Sequence, residues 1–308
     1  MSMHLNYKRI ALTVLMIGAL PQTVLAQGEQ SSEQVTIELR HGPIDVVPGV
    51  ATELHSKVVS VRLSALSKLD DMGAGAAPFV PELIKVVDGI HDGERQQALS
   101  ILRKIGPEAA PAVPVLIQTL DDKQYLRDRA IETLQAIGPA AKDAIPALLH
   151  ILELGNTTSN AEQALAAIGN DAIAPLIKNL NDKSPDCRRL CITALGLIAT
   201  NAKTNADSNE LIIPAITNML TDKDFDVERE ACWALEKIGA PAKDSVPNLI
   251  KAMANKSQYI RQFSADALGA IGPSAQSAIP VLKQALSDEA VRRNARAAIK
   301  KIEQGDIE

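Results

Sequence analysis

The chain has 308 residues, a formal charge of −5, 22% charged residues and only 2% aromatic ones. A modestly acidic chain of this kind is a poor partner for nucleic acid or for anionic lipid. Its three cysteines, Cys187, Cys191 and Cys232, form no CxxC and no zinc spacing, so no metal and no cofactor are expected.

The first residues differ from all that follow. Lys8 and Arg9 precede an apolar run from Ile10 to Leu20, Pro21-Gln22 ends it, and Val24-Leu25-Ala26 offers small residues where signal peptidase cuts. Residues 1–26 therefore read as a secretory signal cleaved after Ala26, which sends the mature chain to the periplasm or out of the cell. The run is shorter than the ~20 residues that span a bilayer. No later run is long enough, and no Cys follows the cleavage site, so no stable membrane insertion is expected after cleavage. Loss of Lys8 and Arg9 moves the formal charge from −5 to −7.

Residues 27–52 form a polar linker and an N-terminal arm. The stretch 27–34 is polar throughout and reads as disordered. Val35, Ile37 and Leu39 alternate with polar residues, which fits either a short strand or an extended arm laid on the next segment. His41 to Val50 reads as turns, because Gly42, Pro43, Pro48 and Gly49 interrupt it.

From about Thr52 the chain repeats. The best-formed copy is Arg127–Leu152, RDRAIETLQAIGPAAKDAIPALLHIL. Ala130, Leu134 and Ile137 have the i, i+4, i+7 spacing of a helix with one apolar face. Gly138-Pro139 stops that helix, since Gly tolerates a left-handed cap and Pro cannot continue a helix. Ile145, Leu148, Leu149 and Leu152 define a second amphipathic helix, with Pro146 in its first turn, where a missing N–H does no harm. One unit is thus helix A, a short turn and helix B.

The capping Gly returns at 73, 106, 138, 169, 239 and 272, with Ala199 in the fifth place. The gaps are 33, 32, 31, 30, 40 and 33 residues. A period in this range marks a solenoid, and a thin core of Ala, Leu and Ile explains the scarcity of rings. Repeat four has a shortened turn that puts Pro175 out of phase. Repeat five carries an insertion rich in Asn, Asp, Ser and Thr around residues 201–210, expected as a surface loop. Residues 289–302 form a lone basic helix, a capping half-repeat.

The pattern Asp-x5-Arg-x2-Ala-x3-Leu-x2-Ile-Gly-Pro resembles HEAT repeats, specifically the short bacterial HEAT-like type also found in phycobilin lyases. The resemblance covers about residues 53–303. It implies an all-α fold, a right-handed α-solenoid of stacked antiparallel helix pairs of the armadillo type, with about seven repeats and a capping helix. It says little about function, since such repeats serve unrelated roles.

Three sets of residues stand out. Arg62, Arg95, Arg127, Arg188, Arg261 and Arg292 fall eleven before the Gly position, while Thr158 and Glu228 interrupt the row. The resemblance implies a structural ladder in which such arginines meet turn acids of neighbouring repeats. Asp121 and Asp182 stand six before Arg127 and Arg188, and Asn255 six before Arg261. The second set lies on helix B: Lys85, Gln118, His150, Lys178, Asn218, Lys251 and Gln284, a row without an acid in an acidic chain. The resemblance places helix B on the concave side, so this row, flanked by Val115, Ala147, Ala215 and Val281, is the expected partner-binding groove. The third is Trp233, the one Trp of the chain. It reads either as an exposed hot spot or as a ring covered by the repeat-five insertion. Cys191 and Cys232 read either as a disulfide between stacked helices, in an oxidising compartment, or as small buried thiols.

No catalytic constellation is visible: no phosphate loop, no GxSxG and no triad order. Deoxyhypusine hydroxylase, an iron enzyme built from similar repeats, depends on His-Glu pairs, and His41, His55, His91 and His150 make none. Phycobilin lyase activity belongs to the cytosolic side and fits an exported chain poorly. The expected function is a non-enzymatic protein–protein interaction scaffold or adaptor outside the cytoplasm. The alternative is a lyase-like or enzyme-accessory protein that holds a small ligand in the groove.

Overall fold

The computed structural model describes residues 47–154, 160–201 and 206–304. The signal segment, the alternating stretch 35–39, Thr158 and residues 202–205 of the insertion lie outside the described residues. All the described regular structure is helical. The first helix is α1 (Val47–Leu54). Helix pairs then follow: α2 (Val59–Met72) with α3 (Val80–Val87), α4 (Asp92–Ile105) with α5 (Val113–Thr119), and α6 (Gln124–Ile137) with α7 (Ile145–Glu153). Next come α8 (Ala161–Ile168) with α9 (Asn170–Asn179), α10 (Pro185–Thr200) with α11 (Ala206–Asn218), α12 (Phe225–Ile238) with α13 (Val246–Ala252), and α14 (Gln258–Ile271) with α15 (Ile279–Ala285). The last helix is α16 (Arg292–Gln304). The result is an all-α solenoid of antiparallel pairs.

Two rows of side chains close the core. The small residues Ala65, Ala98, Ala130, Ala161, Cys191, Ala231 and Ser264 are completely buried, as are Leu69, Leu102, Leu134, Leu165, Leu195, Leu235 and Leu268. A small side chain on each long helix lets the next helix approach, and the leucine one turn later fills the layer. Two contacts are closer still. A Cβ added at Gly269 would come within 2.9 Å of Ala298 Cα, and one at Gly196 within 3.2 Å of Ala234 Cβ. Glycine at these points lets α14 meet α16 and α10 meet α12 almost backbone to backbone.

The link between long and short helix is more regular than a turn. In five repeats it is a 3-10 segment: Gly73–Phe79, Gly106–Ala112, Gly138–Ala144, Ala240–Ser245 and Gly272–Ala278. The capping glycines have φ between +56° and +84°. Their ψ is near −130°, for example −135° at Gly138. That is the mirror image of extended backbone rather than the left-handed helical cap expected, and only Gly enters it without strain.

Repeats four and five depart from this scheme. After Gly169 the chain passes straight into α9, with Pro175 inside that helix. Ala199 cannot adopt the glycine conformation, so α10 runs on to Thr200 and leaves through Asn201 at φ −73° and ψ 124°. The insertion expected as a loop is helical from Ala206 onward. It lengthens α11 to 13 residues, against 7 for α13 and α15, and so puts Pro214 mid-helix instead of in a first turn.

One further expectation needs correction. The helices begin at Val47, not near Thr52, because Pro48 falls in the first turn of α1, where no N–H is required. Of the two readings of Cys191 and Cys232, the structure has the small buried thiols and not the disulfide: Cys187, Cys191 and Cys232 are buried and free. Cys191 shares a hydrogen bond with Cys187 one turn earlier on α10, while Cys232 Sγ lies 3.6 Å from Ser264 Oγ on α14, the opposite neighbour of α12.

Candidate functional site

The arginines form a ladder along one edge, where each long helix begins. Arg62 donates Nε and Nη2 to the Glu94 carboxylate at 2.9 and 2.7 Å, and Nη1 to the Ser56 carbonyl at 2.8 Å. Arg95 meets the Val87 carbonyl at 2.7 Å and Asp122 at 2.6 Å. Arg188 holds Asp222 through two bonds of 2.8 and 2.7 Å and donates to the Asp182 carbonyl at 2.9 Å. Arg261 repeats this with Asp288 at 2.7 Å and the Asn255 carbonyl at 2.9 Å. Arg127 and Arg292 meet carbonyls: Leu120 and Asp122 at 2.7 and 3.1 Å, and Leu286 at 2.8 Å.

Each guanidinium thus fastens its own preceding turn through carbonyls, and four of the six, Arg62, Arg95, Arg188 and Arg261, also fasten the next repeat through a carboxylate. The planar fork suits both tasks at once. The carboxylates that answer the arginines are Glu94, Asp122, Asp222 and Asp288, whereas Asp121 and Asp182 were expected. Asp182 gives Arg188 its carbonyl and turns its carboxylate to the Ser184 amide at 2.7 Å. The reason is positional. A turn acid faces the arginine of the repeat before it, not its own, and the repeat before Asp182 has Thr158 in the arginine place.

Charge follows this geometry. The Arg62 hydrogen bond lowers the Glu94 pKa, and the Arg261 bond does the same for Asp288. Burial pushes Asp222 up, but the bonds from Arg188 and from the Asp224 amide more than offset it, leaving Asp222 below its usual range. Glu228 replaces an arginine, and there the facing turn residue is Asn255, whose amide lies 3.3 Å from both Glu228 oxygens. Burial, with a smaller contribution from Asp222, raises the Glu228 pKa.

The helix-B row is wholly exposed: Lys85, Gln118, His150, Lys178, Asn218, Lys251 and Gln284 all stand in solvent. Among the described residues no carboxylate lies within 4 Å of Lys85, Lys178 or Lys251. The expected freedom from acid is less complete at the middle of the row, where His150 Nδ1 lies 3.4 Å from Glu153 and Glu153 also accepts from Asn179 at 3.3 Å. Small clefts open between successive short helices. One of ≈ 130 Å³ includes Lys85, Val86 and Ile90, one of ≈ 120 Å³ includes Ile117, Ala147 and His150, and one of ≈ 350 Å³ includes Glu228, Asn248, Lys251 and Asn255. A wider hollow of ≈ 900 Å³ lies away from the row against α1.

Trp233 belongs to neither set. It sits on the long-helix face and is 39% exposed. All three thiols are buried; burial pushes Cys232 up to about 12, while the hydrogen bond between Cys187 and Cys191 raises Cys191, together with burial, and lowers Cys187. Among the described residues no group of His, Cys, Asp and Glu could hold a metal ion. No helix among them is long and apolar enough to cross a membrane.

Residues 173–245 and 213–302 match the family model for HEAT repeats. Among solved structures the chain is similar to a Kap121p mutant, with a TM-score of 0.61, 15% identity, and 83% of this chain and 33% of that one covered. It is likewise similar to importin beta, with a TM-score of 0.58, 15% identity, and coverage of 82% and 40%. The chain therefore spans between a third and two-fifths of those proteins, and at such identity the likeness speaks to the fold alone. The CpcE–CpcF complex of phycocyanin lyase from Nostoc superposes with a TM-score of 0.43 at 22% identity, over 51% of this chain and 98% of that one, too loosely to carry an argument. No curated protein matches the chain.

Proposed function

We propose that this chain, a HEAT-repeat protein, is a non-enzymatic scaffold or adaptor that holds an extended protein partner along its short-helix face, outside the cytoplasm. The row Lys85, Gln118, His150, Lys178, Asn218, Lys251 and Gln284 carries this reading. It gives one exposed polar side chain per repeat, on short helices whose opposite faces are locked into the core. Three of its members are lysines with no carboxylate partner among the described residues, in a chain whose formal charge is −5. Such a strip suits an acidic, extended segment, and rigid presentation limits the entropy lost on binding. Small clefts repeated along the row suit successive side chains of a bound segment better than one small ligand. The leader-like pattern of residues 8–26 supports action outside the cytoplasm.

The cleft of ≈ 350 Å³ at Glu228, Asn248, Lys251 and Asn255 favours a second reading, a small-ligand or enzyme-accessory role, because its size and convergent polar groups fall within the range of ligand sites. Partner capture separates the two. The chain lacking its first 26 residues is exposed to the extracytoplasmic fraction of its source cell and cross-linked, beside a variant with Lys85, Lys178 and Lys251 changed to Glu. A protein captured by the parent and lost by the folded variant is the expected result. A protein retained by the variant moves the interface off this face, and no captured protein favours the ligand reading.

A further inference from the structure

The aromatic residues are unevenly placed. The chain holds one Trp, three Tyr and three Phe. Four of these seven, Phe225, Trp233, Tyr259 and Phe263, lie on the adjacent long helices α12 and α14. None is fully buried: Phe225 and Trp233 are 39% exposed and Tyr259 is 53% exposed. Phe225, Arg229, Trp233 and Lys237 follow one another at intervals of four, so they form one stripe along α12. The stripe already uses its rings to hold cations. The Arg229 guanidinium stands 5.8 Å from the Phe225 ring centre, and Lys237 Nζ stands 5.3 Å from that of Trp233. Across the helix pair, Tyr259 meets Phe225 edge to face at 6.3 Å.

Beside this stripe runs a groove of ≈ 490 Å³, lined by Glu162 of α8, Arg189, Leu190 and Thr193 of α10, Arg229, Glu230 and Trp233 of α12, and Phe263 of α14. Its charges do not cancel evenly. Both guanidinium groups are answered on their own helices, Arg189 by Asp186 at 3.5 Å and Arg229 by Asp226 at 2.7 Å. The two carboxylates are not. Glu230 accepts a neutral bond from the Thr193 hydroxyl at 2.7 Å, and among the described residues neither Glu230 nor Glu162 has a cation within 4 Å. Lys237 is turned to the Trp233 ring. Burial, aided by the nearby Glu230, raises the Glu162 pKa against the pull of its own backbone amide and of Arg189. On the ladder, by contrast, the buried Glu94 has Arg62 held bidentate against it. Here a half-buried acid lacks the guanidinium that Glu94 possesses.

We propose that this groove on the long-helix face is a second docking surface, which receives an arginine or lysine side chain from an extended segment of a protein partner. The uncompensated carboxylates of Glu162 and Glu230 supply the charge complement, and Trp233 and Phe263 supply ring surface for the alkyl stem and the cationic head. The surrounding composition is that of a protein interface, where Trp, Tyr and Arg carry most of the binding energy. From Phe225 to Lys237 the stripe measures about 18 Å at 1.5 Å per residue. That is the span of about five or six extended residues. This surface is separate from the helix-B row and stands or falls apart from it.

Trp233 is the one tryptophan of the chain, so its emission reports this groove alone. The whole chain is titrated with a capped Gly-Ser-Arg-Gly-Arg-Ser-Gly peptide, and with counterparts carrying Gln or Glu in place of both Arg. The expected result is a saturable change in Trp233 emission with the arginine peptide, at an affinity at least about tenfold above that for the glutamine peptide, a difference of roughly 1.4 kcal/mol. A folded Glu162→Gln/Glu230→Gln variant should lose about tenfold in affinity for the arginine peptide, while the Lys85, Lys178 and Lys251 charge reversals should leave it unchanged. Equal response to the arginine and glutamine peptides, preference for the glutamate peptide, or no response overturns the proposal. Should the double Gln variant fail to fold, the ratio of arginine to glutamine affinity in the parent decides alone.

Discussion

The repeats from α2 to α7 and those from α8 to α13 are built from the same pattern and end up differently. In the first group every capping position is Gly, every link is a seven-residue 3-10 segment and every ladder position is Arg. In the second group Gly169 feeds directly into α9, Ala199 lets α10 run on, α11 is lengthened, and Glu228 stands in for an arginine. The departures come with compensations. A Glu at the ladder position opposite another turn Asp would bury two like charges, and the chain places Asn255 there instead. The overlong α10 leaves through an ordinary extended residue where glycine geometry is unavailable. The regular group uses its chemistry on stacking. The irregular group leaves side chains over, and both the cleft at Lys251 and the groove at Trp233 lie within it or at its edge.

Substitutions along the ladder test that contrast most strongly. Arg188 and Asp222 expose only 5% and 10% of their side chains. Arg188→Ala strands a buried carboxylate between two repeats, and a loss of about 3 kcal/mol is expected in denaturant unfolding. Arg127→Ala removes bonds to carbonyls only and should cost about 1 kcal/mol. Arg292→Ala, on an exposed side chain at the last helix, should stay within about 0.5 kcal/mol. Equal losses at all three positions would mean that the carboxylates add nothing to the ladder.

An effect no larger than that of Arg188→Ala is expected where helices touch through glycine. Gly269→Ala places a Cβ 2.9 Å from Ala298 Cα, and forcing α14 from α16 should cost about 1–3 kcal/mol. Gly93→Ala, where a Cβ meets nothing within 4 Å, should leave unfolding nearly unchanged. A neutral Gly269→Ala would show that the capping end of the solenoid is loosely packed.

The smallest difference is in the pH dependence. The pKa values of Glu94, Asp122, Asp222 and Asp288 lie below the ordinary 4.5 for Glu and 3.8 for Asp. Their contribution is complete above that range and drains away as pH falls through it toward the lower folded values. Glu228 runs the other way, because its folded pKa is raised: the stability it withholds near neutrality returns as pH falls. Glu228→Gln should therefore raise the melting temperature near neutral pH and make its decline into acid steeper than the parent's. A shallower decline would contradict the assignment.

Much of this was legible from residue spacing. The capping glycines, the buried Ala and Leu rows and the arginine row depend on intervals within one repeat, and those intervals survive folding. What crosses between repeats was not legible. The ladder acids belong to the next repeat, and their distance from the arginine changes with the length of each link, so Glu94, Asp122, Asp222 and Asp288 escaped notice while Asp121 and Asp182 drew it. The helical extension before Pro214 was hidden by a polar composition that equally suits a loop. The groove beside Trp233 gathers side chains from four helices, from Glu162 to Phe263. The crowding of aromatic residues between 225 and 263 was its one visible sign.

The short-helix face is the proposed seat of the partner. Amide hydrogen exchange of the whole chain, alone and bound to the captured partner, tests this directly. Added protection should appear on α3, α5, α7, α9 and α13, around Lys85, Gln118, His150, Lys178 and Lys251, with little change on α2, α4 and α6. Protection confined to the long helices, or absent from the short ones, would contradict it.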